Sequence, residues 1–185
     1  GSGRLTVPIA AKAKSILALD SSQPMLDYNA RKLKAAGYSN WHTQVADHRH
    51  IPAADNSADL VVSGWSICYL GSSNHAGWQD NIRQVMSEIK RVLRPGGTVI
   101  LFETMGTGAV TPNPPSFLLD YYTMLETEFA FSHSWFRADY AFESLEQAKE
   151  LAQFFFGDEL AEQVEQNNWV TLPECAGMWW KTEQP

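Results

Sequence analysis

The stretch SILALDSSQPMLDYNARKLKAAG, residues 15–37, decides the fold. Its first six residues form a compact apolar run closed by an acid, Asp20, the pattern of a buried parallel strand. Pro24 stands where a helix begins, Leu26, Ala30 and Leu33 recur at helical spacing, and Gly37 supplies a C-terminal stop. A strand followed at once by a helix is the unit from which parallel α/β sheets are built.

The unit recurs on either side. WHTQVAD (41–47) is a second short strand ending in an acid, and ADLVVSGWS (58–66) is a third, richer in β-branched residues. Ile82, Val85, Met86, Ile89, Val92 and Leu93 mark one face of a helix that RPGG (94–97) ends, and TVILFE (98–103) reads as the next strand. Upstream, residues 4–12 read as a short helix behind a Gly-Ser-Gly turn. Downstream, 104–116 is a loop of Gly, Thr, Asn and Pro, followed by a helix near 117–128, an aromatic strand through 132–144 and a helical stretch over 145–167. WVTLPECAGMWWKT (169–182) then pairs with the aromatic strand as an antiparallel edge. The expected architecture is one α/β domain: Rossmann-like, doubly wound, with a mostly parallel sheet and right-handed crossovers. Residues 1–104 form its cofactor-binding part, and 105–185 close the sheet and shape an acceptor site.

The 185 residues suffice for one domain with a core, and 44% hydrophobic content rules out a disordered chain. A formal charge of -7 leaves no basic footprint, so a nucleic-acid partner is not expected. Cys68 and Cys175 lack the spacing of a metal site or a disulfide framework and read as thiols of a reducing compartment, which makes cytoplasm the expected location. No stretch approaches the ~20 apolar residues that span a bilayer, so no membrane association is expected.

The chemistry gathers at one sheet edge. Gly1 and Gly3 fall at a turn entering a helix, Asp20 and Asp47 at successive strand ends, and Ser63 to Ser66 just beyond the strand that follows. Glycine at such a turn lets a ligand approach the backbone, and a carboxylate at the next strand end can accept both hydroxyls of a ribose. A second carboxylate further along can accept from an exocyclic amine such as adenine's. A nicotinamide dinucleotide site would need a third small residue in Gly-x-Gly-x-x-Gly or Ala, and that position is Thr6. Adenosine without a pyrophosphate fits better.

These residues resemble the class I S-adenosylmethionine-dependent methyltransferases of the type 11 group. GSGRLTVPIA is similar to the second half of that family's acidic-x-Gly-x-Gly-x-Gly motif, and LALDSSQPMLDYNARK to its second motif. VADHRHIPAADNSADLVVS resembles its adenine-contacting acid and fourth strand, and VMSEIKRVLRPGGTVILFE its helix, turn and fifth strand. The resemblance implies S-adenosyl-L-methionine as cofactor, with Gly1 and Gly3 against its methionine and ribose. Asp20 would take the ribose hydroxyls, Ser21 and Met25 would flank the adenine, and Asp47 would bind the adenine amine beside the backbone of His48. Ser63, Gly64 and Trp65 would line the passage to the acceptor. It also implies a central strand and an acid immediately before Gly1, so the expectation is an N-terminally truncated chain that lacks its first strand. The expected activity is in-line methyl transfer to a small-molecule acceptor, against a non-catalytic cofactor-binding subunit and, further off, a nicotinamide-dependent oxidoreductase.

A dedicated base is optional in such a transfer. Glu103, His133, Tyr140, His48 and His75 are the residues that could serve, and none stands out. FFFG (154–157) is expected to pack into the core at a helix end, and the aromatic residues at 135, 136, 169, 179 and 180 to seal the last sheet edge.

Overall fold

Asp20 closes a strand, as its place after an apolar run requires, and a helix follows it within three residues. The computed structural model describes residues 1–184. Its elements are α1 (Thr6–Ala10), β1 (Ile16–Asp20), α2 (Gln23–Ala35), β2 (Trp41–Val45), β3 (Ala58–Gly64), α3 (Cys68–Gly71), α4 (Trp78–Val92), β4 (Leu93–Thr107), a 3-10 turn (Ser116–Leu118), α5 (Leu119–Thr127), β5 (Ser132–Arg137), β6 (Tyr140–Ala141), α6 (Leu145–Phe156), α7 (Asp158–Gln166), β7 (Thr171–Leu172) and β8 (Glu174–Thr182). The domain is α/β, with a mostly parallel sheet and antiparallel edge strands. The chain divides into two units, and β3 and β4 each run from one into the other.

The first unit comprises Gly1–Val62, Asp80–Thr98, Glu183 and Gln184. Within it β1 and β2 pair in parallel, from Ile16 opposite Trp41 to Asp20 opposite Val45, and form a ladder of their own. Pro24 sits in the first turn of α2, where its missing N–H costs nothing; Leu26 and Leu33 are fully buried; Lys32 and Lys34 complement the C-terminal end of the helix dipole. The apolar face read on α4 is the one the fold buries: Ile82, Val85, Met86, Ile89 and Val92 are all inside. Each such side chain contributes roughly 1.5–3 kcal/mol. Arg91, in the last turn, donates to Glu88, to Asp55 and to the carbonyls of Ile51 and Ala53, fastening the segment before β3 onto α4. RPGG does end the helix. It then enters β4 directly rather than standing as a separate turn, because Gly97 accepts a hydrogen bond from the Glu183 N–H at 2.9 Å.

The second unit comprises Ser63–Gln79 and Val99–Thr182. The strand order β3-β4-β8-β5 ends in the expected antiparallel edge, with Ser132 opposite Trp180 and Arg137 opposite Cys175. The stretch expected as one helix over 145–167 is two, because Gly157 takes φ +92° and breaks it. The two helices pack through Ala148, Ala152, Leu160 and Val164 onto Leu172 of the short β6–β7 ladder. That geometry corrects the expectation for FFFG: Phe154 and Phe155 stand 78% and 66% exposed. Three consecutive residues sweep about 200° of a helix, and the buried face is taken by the small residues Ala148 and Ala152. Trp179 is fully buried and seals the sheet as expected, whereas Trp135 and Phe136 on the edge strand remain half exposed. Among the described residues no helix is long and apolar enough to cross a membrane.

Candidate functional site

The turn at the start of the chain needs glycine for a steric reason. Gly3 is buried with φ +88°, and a Cβ there would lie 2.5 Å from Asn29 Oδ1. Asn29, fully buried on α2, also donates to the Thr6 hydroxyl at 3.3 Å. Thr6 is therefore part of the α1–α2 packing, in the place where a dinucleotide motif requires a small residue.

Asp20 faces that turn. Its Oδ1 accepts the Ser22 N–H at 2.8 Å, and its Oδ2 lies 2.6 Å from the amino group of Gly1. Ser21 is exposed between β1 and α2, and Met25 is half exposed in the first turn of α2.

Asp47 follows β2 and is already engaged. Its Oδ1 accepts from the Arg49 backbone N–H at 2.8 Å and from Arg49 Nε at 2.9 Å, and its Oδ2 from Arg49 Nη2 at 2.7 Å. This fork holds Asp47 far below its ordinary value. Arg49 in turn donates to Asn81 of α4 at 2.9 Å, which fixes the Asp47 turn to the helix. His48 feels the charge of both acids. Burial lowers its proton affinity, and Asp47 and Asp20 only partly restore it, so the imidazole is held toward its neutral form. Asp20, Asp47 and His48 thus form one electrostatic neighbourhood in the first unit. Arg49 was not among the residues singled out from sequence, although its position two residues after Asp47 is the spacing at which an arginine can fold back on an acid.

Ser63 belongs to the second unit. It lies on β3, and its hydroxyl is buried with no hydrogen-bond partner among the described residues. Two residues on, Trp65 adopts φ +49°, a left-handed conformation that costs a bulky residue roughly 1–3 kcal/mol. Its N–H donates to the Phe102 carbonyl at 2.7 Å, and its ring stacks on Phe102, which meets Phe136 edge-on.

Of the residues considered as a base, Glu103 has the most distinctive setting. It is fully buried near the middle of β4, where Oε1 accepts the Cys68 N–H at 3.1 Å and the Tyr121 hydroxyl at 3.3 Å. Its Oε2 has no hydrogen-bond partner among the described residues. Burial outweighs the hydrogen bonds from Cys68 and Tyr121 and pushes the carboxyl up to about 7. His133 stacks on Trp179 at 4.3 Å, with Nδ1 3.6 Å from Glu126, and burial lowers its proton affinity. Tyr140 lies on β6 and stacks with Phe142, and His75 is in the exposed turn after α3.

Comparison with known proteins bears on the whole arrangement. Residues 1–101 match the family model described as a methyltransferase domain. The chain is 32% identical over 106 residues to the uncharacterized protein YafE of Escherichia coli K12, covering 57% of this chain and 47% of that protein. It is 33% identical over 107 residues to a demethylmenaquinone methyltransferase of Symbiobacterium thermophilum, covering 56% of this chain and 39% of that one. The match thus spans less than half the length of these relatives. Among solved structures, the YcgJ protein of Bacillus subtilis superimposes with a TM-score of 0.62 at 12% identity, covering 100% of this chain and 89% of that one, a likeness of fold. With more than half of its length matched by the family model, this chain belongs to the methyltransferase domain family.

Proposed function

We propose that the chain binds S-adenosylmethionine and directs its methyl group to a small-molecule acceptor. The observation that carries this reading is the pairing of a glycine turn with an acid at a strand end: Gly3 takes a positive φ packed on Asn29, and Asp20 offers carboxylate oxygens beside Gly1. That pair suits a ribose diol approached closely by backbone, and Thr6, tied to Asn29, is out of keeping with a pyrophosphate-binding turn.

When bound, S-adenosylmethionine supplies a methyl group on a positively charged sulfur, which the acceptor displaces in line. The protein's own part is binding and alignment. Gly1 and Gly3 give way to the cofactor's methionine and ribose, and Asp20 accepts from the ribose hydroxyls. Ser21 and Met25 flank the adenine. Asp47, with Oδ2 holding only one donor, keeps a lone pair for the adenine amine, and Arg49 keeps the carboxylate ionised and oriented. In the second unit the unpartnered Ser63 hydroxyl and the strained Trp65 line the route to the acceptor. No dedicated base is assigned, since Glu103 is sealed from solvent and His133 is stacked against Trp179.

Titration calorimetry with S-adenosylhomocysteine and with NADH separates the readings. Binding of the former alone is expected; binding of NADH alone would overturn the proposal. Incubation with methyl-labelled cofactor and a metabolite extract should then yield labelled product, and binding without any label transfer would favour a cofactor-binding subunit.

A further inference from the structure

Where α6 gives way to α7 in the second unit, every residue from Gln153 to Glu159 is exposed. Phe154, Phe155 and Phe156 stand there at 78%, 66% and 48% exposure, and their rings form one surface: Phe154 meets Phe155 edge-on at 4.9 Å, and Phe155 lies 6.3 Å from Phe156. A Cβ on Gly157, beside them, would meet no atom within 4 Å among the described residues, so the tip is open on that side. Asp158 and Glu159 follow directly, and Asp158 Oδ1 accepts from Gln153 Nε2 at 2.8 Å, which draws that acid back to the end of α6. Over residues 143–165 seven acids stand against one base, Lys149, and that base is spent on Glu165 at 2.5 Å. An aromatic tip in an acidic setting calls for a basic surface with an apolar hollow.

The exposed face of α2 in the first unit has that opposite character. Arg31, Lys32 and Lys34 are all exposed, and the Arg31 guanidinium and the Lys32 ammonium lie 5.5 Å and 5.1 Å from the centre of the exposed Tyr28 ring. Pro24, Asp27, Ala30, Arg31 and Lys34, three and four positions apart, line one hollow on this helix. Its single acid, Asp27, accepts from Gln23 Nε2 at 2.8 Å. Between residues 4 and 38 six bases stand against two acids.

We infer that a second copy of this chain occupies both surfaces: the phenylalanine tip of one copy seats on the α2 face of another, with Phe154 and Phe155 against Tyr28 and the hollow, and Asp158 and Glu159 facing Arg31, Lys32 and Lys34. Charge complementarity carries the choice of occupant. A tip-to-tip contact would bring the acids of two copies together, and an anionic membrane would repel them. Three rings and one helix face make a small interface, so the association is reversible and falls in the micromolar range. The contact is head-to-tail, each copy offering one surface of each kind. It uses none of the residues assigned to the cofactor and does not depend on the methyl-transfer reading.

Analytical ultracentrifugation of the whole chain tests this. The weight-average mass should rise above the monomer's 20.7 kDa with concentration and fall back as salt is added. The double variant Phe154→Ser, Phe155→Ser and the double variant Arg31→Glu, Lys34→Glu, all at exposed positions, should each weaken the association roughly tenfold or more while circular dichroism stays unchanged. Mixing the two variants should restore complexes, because the intact tip of the second fits the intact α2 face of the first. Joining Arg31→Glu, Lys34→Glu with Asp158→Lys, Glu159→Lys in one chain should also restore association, a recovery that damage to α2 would not show. The inference is overturned by a parent chain that stays monomeric, by association indifferent to the α2 reversal, which would mean tips packed on one another, or by a mixture that does not recover. Binding to phosphatidylcholine vesicles through the tip, without self-association, would overturn it in favour of a lipid surface.

Discussion

The arginine-bound acids of the first unit and the acid buried on β4 in the second live under opposite rules. In the first unit Asp47 and Glu88 are held below their ordinary values by the arginines placed on them, Arg49 and Arg91, as Asp139 on the surface of the second is by Arg137. In the second unit Glu103 is stripped of water, receives two hydrogen bonds on one oxygen, and is held neutral up to about pH 7. The first arrangement suits a ligand with hydroxyls and amines that must be oriented. The second suits a packed interior, where an unpaired charge would be costly.

The comparison can be broken at several points. Trp179 is fully buried, stacks on Tyr122 at 4.5 Å and donates to Glu126 at 3.1 Å. If packing rather than charge holds the second unit, Trp179→Ala should cost about 3–5 kcal/mol in chemical denaturation, and a loss under about 1 kcal/mol would break the contrast.

Glu103→Gln comes next. The folded-state value of Glu103 lies above its unfolded value of 4.5, so the folded state holds the proton more tightly. Its contribution to stability is complete below about pH 4.5 and is lost as the pH rises through 7. The loss is on the order of 3 kcal/mol. The glutamine variant should lack this decline and be more stable than the parent at pH 8; an unchanged slope between pH 5 and pH 8 would mean the carboxyl is ionised inside the fold. Asp47 and Glu88 carry the opposite sign, since their folded values lie below the unfolded ones: their contribution is present above about pH 4.5 and is lost as the pH falls. Because both are partly exposed, solvent screens that contribution.

The smallest effect should come from Arg94→Ala, which removes an exposed pair with Asp59 in the first unit. Thermal denaturation should register less than about 1 kcal/mol, and the difference should shrink further in added salt.

Much of the first unit was legible in the sequence because its signals are local. Asp20 ends its own apolar run, Pro24 and Gly37 bracket their own helix, and the six apolar positions from Ile82 to Leu93 repeat at helical spacing. The proximity of Asp20, Asp47 and His48 also follows from strand order alone, once β1 and β2 are taken as parallel neighbours. The capture of Asp47 by Arg49 was within reach, being two residues away, but nothing in composition separates that arginine from a solvated one.

The second unit is less readable because its interactions span distance. Glu103 meets Cys68 from 35 positions away and Tyr121 from 18, and no periodicity connects them. The short α3 has too few residues to show a pattern. The helix after Ser144 reads as continuous until Gly157 takes a left-handed φ, a conformation glycine permits without announcing. FFFG misleads for a related reason: three phenylalanines imply burial by type, yet burial is decided by the face the helix turns inward, and that face belongs to Ala148 and Ala152.

The central claim is that Asp20 holds the ribose of S-adenosylmethionine, and titration calorimetry of S-adenosylhomocysteine against the parent chain and Asp20→Ala tests it most directly. Loss of the charge-assisted hydrogen bonds should weaken binding by about 1–3 kcal/mol, roughly ten- to a hundredfold. Equal affinity in the two proteins would contradict the assignment of Asp20 and, with it, the reading of the glycine turn that faces it.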